Sequence, residues 1–224
     1  MAKLILHCGE TRTKSDTARY TGWDPDDKGA ARHNAKVLVL YLIETDAWDF
    51  ARSFQCVEEG CLIKRVVITY GEITLNKPAQ RPFGGGGVAP KQWACDGSCD
   101  WSVTVSCPRH TKIPKKDTMM EEQELDCRQG EEAFACMTSH AAGHDPQQAQ
   151  AQSKATEDIK KQVADDLHAA IQTVTCDPDC PNKTVTVEFG PIKDVTDPTL
   201  PQPDANGDFF VNLDQRWTIR IKCS

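Results

Sequence analysis

The pattern of this chain occurs twice, and that restricts its fold more than any other feature. Residues 35–56, AKVLVLYLIETDAWDFARSFQC, align without a gap on residues 155–176, ATEDIKKQVADDLHAAIQTVTC. Apolar side chains coincide at 39/159, 43/163, 47/167, 50/170, 51/171 and 54/174. The spacing i, i+4, i+8, i+11, i+12, i+15 is one face of an α-helix. Each segment ends in a cysteine, Cys56 or Cys176, followed by a second, Cys61 or Cys180. Gly71 and Gly190 each lie ten residues beyond that second cysteine. The intervening LIKRVVITY and PNKTVTVEF are β-branched in their second halves and read as strands. A Pro/Gly-rich stretch follows in both places, NKPAQRPFGGGGVAPKQ and DPTLPQPDANGD. Each copy then closes on a tryptophan strand with a terminal cysteine, WSVTVSC (101–107) and WTIRIKC (217–223). The opening KLILHC (3–8) reads as an additional strand ending the same way.

The expected fold is therefore α+β, with two tandem related units, each an amphipathic helix packed on a small antiparallel sheet and stapled by cysteines. The first unit spans 1–107, a connecting segment 108–145, and the second unit 146–224. Residues 9–30 are polar and turn-rich and read as a loop; residues 108–145 read as holding one or two short helices broken near Gly130 and Gly143. Gln- and Ala-rich residues 147–158 extend the second helix. The expected core contains Val39, Ile43, Phe50, Phe54, Ile159, Val163, Leu167 and Ile171, with Trp101 and Trp217. Whether the two sheets merge is open at this level.

Eleven cysteines are many for a chain in a reducing compartment. The repeated positions gather three per copy: Cys56, Cys61 and Cys107, then Cys176, Cys180 and Cys223. Pairs separated by four and three residues are compatible with zinc, but no fourth ligand type repeats in register. Disulfides fit more easily: one cysteine of each pair bonds to the strand-end cysteine, or the pair closes on itself. The unique cysteines suggest local bonds, Cys95 with Cys99 and Cys127 with Cys136. The odd total leaves at least one cysteine outside intrachain pairs. A third use, thiol redox chemistry, is weak because no C-x-x-C occurs.

Composition excludes some functions. A net charge of −7 argues against non-specific nucleic-acid or anionic-membrane binding, since both need a basic surface. No stretch approaches the ~20 apolar residues of a membrane-spanning helix. The opening MAKLILHCGE offers too short an apolar run for a secretory signal. Compartment is thus unknown, with cysteine usage favouring an extracellular or other oxidising location reached by non-classical export.

Several stretches can be weighed for chemistry. HCGETRTK (7–14) resembles the phosphate loop of cysteine phosphatases, but Lys14 stands where the arginine belongs and lacks its bidentate grip. Cys8 is explained as a strand-end cysteine. CMTSHAAGH places Cys136, His140 and His144 four residues apart; on a helix they would line one face as metal ligands, with Glu131 and Glu132 one turn earlier as a base. DANGD (204–208) alternates acids as calcium loops do, but Phe209 and Gln215 replace the glycine and glutamate such loops require. GGGG (84–87) lacks the lysine and hydroxyl of a nucleotide loop.

No convergent catalytic set emerges. The expected function is a non-enzymatic binding or assembly protein stabilised by disulfides, with no cofactor, and with a protein partner or self-association. The alternative is a zinc-binding module or metal-dependent hydrolase using Cys136, His140 and His144.

Overall fold

The computed structural model describes residues 4–57, 61, 63–83, 90–109, 113–114, 116–177, 179–199, 203–204 and 206–224. The strands are β1 (Leu4–Leu6), β2 (Thr11–Asp24), β3 (Phe54–Cys56), β4 (Lys64–Tyr70), β5 (Thr74–Leu75), β6 (Ala79–Pro82), β7 (Lys91–Ser106), β8 (Gln123–Leu125), β9 (Glu132–Asp145), β10 (Val174–Cys176), β11 (Lys183–Asp194) and β12 (Phe209–Cys223). Two helices of 25 residues each, α1 (Lys28–Arg52) and α2 (Gln148–Gln172), follow β2 and β9. The chain is thus α+β and mostly sheet. Its GGGG stretch and first three residues lie outside the described residues.

One antiparallel sheet dominates, in the order β2-β7-β4-β11-β12-β9, with β5 and β6 also paired to β7. It curls into a half-barrel. The question of two sheets or one is settled by β4 and β11, which pair from Lys64↔Phe189 to Tyr70↔Lys183. Both helices pack on this sheet, α1 over β2 and β7, α2 over β9 and β12. Two small parallel pairs, β1 with β3 and β8 with β10, flank the main sheet.

The helices sit where the apolar stripe of the sequence puts them. Ala35, Val39, Ile43, Ala47 and Ala51 of α1 are buried, as are Ala155, Ile159, Val163, Leu167 and Ile171 of α2. Trp217 is fully buried, and its indole N–H donates to Ser139 Oγ at 2.9 Å, so its polar edge is satisfied within the core. Of the expected core, only Phe50 is partly exposed; it packs edge-on to Phe54 at 5.0 Å.

Two segments differ from expectation. Residues 11–24 form a strand rather than a loop, and the segment expected to hold short helices forms β9, preceded by a single 3-10 turn at Cys127–Gln129. In both, a helix backbone presses directly on an inward glycine, and neither strand carries an apolar stripe: the same face of β2 holds Arg12, Lys14, Asp16 and Ala18. A Cβ on Gly22 would collide with the Ala31 carbonyl and Ala35 amide, and one on Gly143 with the Ala151 carbonyl and Ala155 amide. Ala133, Ala135 and Ser139 continue the inner face of β9. A strand with alanine inside and polar groups outside lacks the β-branched signal that marks β4 and β11.

Four disulfides form: Cys8–Cys61, Cys56–Cys107, Cys127–Cys180 and Cys176–Cys223. The first cysteine after each helix bonds to the end of a tryptophan strand, and the second to the cysteine after β1 or β8. Cys95, Cys99 and Cys136 are free and buried. The local bonds expected at Cys95–Cys99 and Cys127–Cys136 do not form. Cys95 and Cys99 share the extended strand β7, where four residues span roughly 13 Å, well beyond the roughly 7 Å Cα limit of a disulfide. Cys127 is held instead by Cys180. Among the described residues no helix is long and apolar enough to cross a membrane.

Candidate functional site

The residues first considered for metal binding do not meet. Cys136, His140 and His144 all lie on β9, so each step of four residues is roughly 13 Å of extended chain. Cys136 Sγ faces the Pro114 carbonyl at 3.5 Å; His140 Nδ1 pairs with Asp214 at 2.6 Å; His144 stacks on Phe210 at 5.9 Å. Glu132 is engaged by Arg220, and by Lys222 at 2.9 Å, while Glu131 accepts the Asp126 amide at 3.1 Å. The helical face that would have gathered them is a strand.

Asp126, Cys127 and Cys180 do come within 4.8 Å of one another. Their two sulfurs are bonded to each other, which removes both thiolates and leaves one carboxylate already paired with Arg128. Cys8 is likewise oxidised, so the phosphatase-like loop carries no nucleophile. In DANGD, Asp204 Oδ1 accepts the amides of Asn206 at 2.8 Å and Asp208 at 3.0 Å, a turn closed on itself.

A different region gathers unusual groups: the groove between α1 and α2. The helices run antiparallel across it, since Arg52 reaches the Lys160 carbonyl at one end while Tyr41 lies edge-on to His168 at the other. Its floor is the start and end of β4 and β11. Glu44, on α1, is only 3% exposed and binds His168 Nδ1 on α2, joining the helices across the groove. Burial raises the Glu44 carboxyl above its usual range, against the opposing effect of His168. Below it on β11, the Lys183 ammonium donates to the carbonyls of Ile171 at 2.8 Å and Val174 at 2.7 Å. Burial lowers Lys183 to about 8, with Glu44 working the other way. Tyr70 is buried beside them, and burial holds its hydroxyl well above the usual tyrosine range.

Three buried polar atoms here have no hydrogen-bond partner: Glu44 Oε1, Trp48 Nε1 and Tyr70 Oη. Sequence reading had no means to find them. Glu44 falls within the apolar stripe of α1 but is not an apolar residue, and its partners are over a hundred residues away in the chain. The one available signal was a charged residue adjoining Ile43 on a helix face otherwise destined for the core.

The groove has three contiguous hollows. The first, of about 420 Å³, lies between Tyr41, Trp48 and His168. The second, of about 280 Å³, is bounded by Trp48, Val163, Leu167, Phe189 and Ile192. The third, of about 380 Å³, contains Glu44, Tyr70, Ile73 and Lys183.

The lysine makes the groove testable by pH. Below pH about 8, Lys183 is charged in both folded and unfolded chains, and its burial cost is present in full. Between about 8 and 10.5 the unfolded chain binds the extra proton, so this cost is relieved and stability rises. Melting temperatures of wild type and Lys183→Met should therefore converge or cross in wild type's favour from pH 7.5 to 9.5. A temperature difference independent of pH would contradict a neutralised lysine.

No protein-family model, curated protein or solved structure matches this chain, so the groove must be interpreted from its own residues.

Proposed function

We propose that this is a non-enzymatic binding protein whose ligand enters the groove between α1 and α2, and that its frame consists of two tandem related units. The observation that carries the binding reading is the convergence of Glu44 Oε1, Trp48 Nε1 and Tyr70 Oη, buried and unpartnered, on one groove. A buried polar group without a partner costs about 1–3 kcal/mol. Such groups are retained where something else completes them. Aromatic walls with a few fixed polar groups are also the usual composition of a small-molecule site.

The reading is non-enzymatic because the groups are arranged to hold rather than to react. The aliphatic hydroxyl of the groove wall, Thr45 Oγ1, donates to the Tyr41 carbonyl at 2.8 Å. His168 itself is spent on bridging the helices through Nδ1.

The related-unit reading is supported by order and register. Strand, strand, helix, short strand and long strand recur in sequence, and the disulfides Cys8–Cys61 and Cys127–Cys180 close loops of equal length, 53 residues. Gly71 and Gly190 recur because each lies close against a carbonyl, Asp100 O at 3.0 Å and Arg216 O at 3.1 Å from where a Cβ would sit.

The test uses a fluorescent amphiphile, anilinonaphthalene sulfonate, with the oxidised protein. One dye site is expected, and filling the groove by Ala164→Trp should remove it while the melting temperature changes little. Dye binding that is absent, or unaffected by the groove-filling variant, would sink the proposal.

A further inference from the structure

The tripeptide Asn182-Lys183-Thr184 carries a chemistry that the groove does not use. It is an Asn-x-Thr acceptor sequence for N-linked glycosylation, with lysine rather than the excluded proline in the middle. Of Asn34, Asn76, Asn182, Asn206 and Asn212, only Asn182 has a serine or threonine two residues on. Whether such a tripeptide can act is decided by its setting in the fold.

The backbone sorts the three side chains onto two faces. Asn182 and Ser224 exchange both backbone hydrogen bonds, each at 2.9 Å, which carries the β11–β12 ladder one pair beyond Lys183↔Cys223. Alternation then sends Lys183 to one face and Asn182 and Thr184 to the other. Lys183 takes the helix side, where its ammonium meets the carbonyls of Ile171 and Val174. Asn182 and Thr184 take the opposite face, where Thr184 lies across from Lys222 on β12 and Thr69 on β4. Asn182 is exposed. Among the described residues neither its side-chain amide nor the Thr184 hydroxyl has a hydrogen-bond partner. The acceptor nitrogen is thus mounted on a fixed ladder and open to solvent, and a glycan on it displaces nothing from the core.

The first half of the chain isolates what the fold needs at these positions. With the two units taken as related, Ile63, Lys64 and Arg65 occupy the corresponding places: Cys56 Sγ lies 3.8 Å from the Ile63 carbonyl, and Cys176 Sγ 4.0 Å from that of Asn182. The lysine is common to both and is held alike, Lys64 donating to the Ala51 carbonyl at 3.0 Å. Its neighbours differ, isoleucine against asparagine and arginine against threonine. Architecture therefore asks for the lysine and leaves both flanking positions free for another use. The tripeptide is bracketed by the disulfides Cys127–Cys180 and Cys176–Cys223. Such bonds form in the oxidising lumen of the secretory route, the compartment in which N-linked glycans are attached.

We propose that Asn182 is an N-glycosylation site. The co-substrate is an oligosaccharide carried on a lipid diphosphate. The Asn182 amide nitrogen attacks the anomeric carbon of the first sugar. The new carbon–nitrogen bond forms as the carbon–oxygen bond to the diphosphate breaks, the nitrogen gives up one proton, and the lipid diphosphate leaves. Nothing is oxidised or reduced. The Thr184 hydroxyl is the group that the transferase requires two residues on. Transfer commits the chain to passage through the lumen rather than to export that bypasses it. The proposal is independent of the groove and of its ligand.

The experiment is intact-mass analysis before and after peptide-N-glycosidase treatment. It is made on the protein from its natural source and on the full chain secreted through the lumen of insect cells. Both are expected to be heavier than the polypeptide by one oligosaccharide, which the enzyme removes to leave an aspartate at this one position. Asn182→Gln and Thr184→Ala should each abolish the mass gain, and Thr184→Ser should retain it in part. Each variant should keep the four disulfides, read by alkylation. Should Thr184→Ala fail to fold, Thr184→Val makes the same test with a residue suited to a strand. A bare Asn182 in secreted chain whose four disulfides have formed would overturn the proposal, as would a mass gain that survives loss of the Thr184 hydroxyl. A glycan on the secreted chain but none on the protein from its source would overturn it too, by showing that the native chain never meets the transferase.

Discussion

Alkylation of the denatured, unreduced protein is expected to add three labels, at Cys95, Cys99 and Cys136, and eleven after reduction. Reduction should also unfold the chain. Each bond closes a loop of 47 to 53 residues, which the chain-entropy account values at about 4 kcal/mol. The loops within each half overlap, so the contributions do not simply add. Even two such losses approach the roughly 5–15 kcal/mol that a folded domain possesses. Near-ultraviolet circular dichroism with and without dithiothreitol reads the result. A reduced protein melting cooperatively within a few degrees of the oxidised one would show that packing alone maintains the fold. Two of the three free thiols, Cys95 and Cys99, are no threat to the pairing at neutral pH. Burial pushes the Cys99 thiol up to about 11 and raises Cys95 as well, so neither is a ready thiolate for exchange.

Gly143→Ala should be strongly destabilising. The new Cβ would run into the Ala151 carbonyl and the Ala155 amide, backbone atoms of α2 that cannot rotate away. The helix must lift from β9, opening the seam that buries Ala151, Ala155 and Ile159. A loss of about 3 kcal/mol or more follows from overpacking, or a fall in melting temperature of roughly 6–12 °C for a domain of this size. Gly22→Ala should do the same to α1, through Ala31 and Ala35. Ala142→Val, on the neighbouring exposed position of β9, is the control and should change little. A Gly143→Ala protein as stable as that control would mean that the helix–strand contact is looser than described.

These glycines also mark where sequence reading stopped. The apolar stripes of both helices, the β-branched strands β4 and β11, and the tryptophan strands were legible because burial on one face writes a period into the sequence. The edge strands β2 and β9 were not: close helix contact selects glycine at Gly22 and Gly143, alanine and serine line β9, and β2 is mostly polar, so neither carries a strand signature. Cys127 is instructive. Its place after a short strand matches that of Cys8, a match that would have assigned its bond to Cys180 over the nearer Cys136. Proximity in sequence was the wrong guide where an extended strand separates neighbours. The groove was illegible for a different reason: Glu44, Trp48, His168 and Lys183 acquire meaning only from which side chain lies opposite, and that is set by the joining of β4 to β11.

That joining carries one more consequence. Every disulfide lies on one side of it: two tie residues 8–107 and two tie residues 127–223. Nothing covalent links the two sides except the single peptide thread between them. A protease that cut that thread would release no fragment from the folded protein, yet would turn one chain into a heterodimer held by non-covalent contacts alone: the seven-residue ladder, the Glu44–His168 and Arg65–Glu188 pairs, and the shared core. Its stability would then depend on dilution, which the intact chain's does not, and the groove between the helices, lying on the junction, would come apart first.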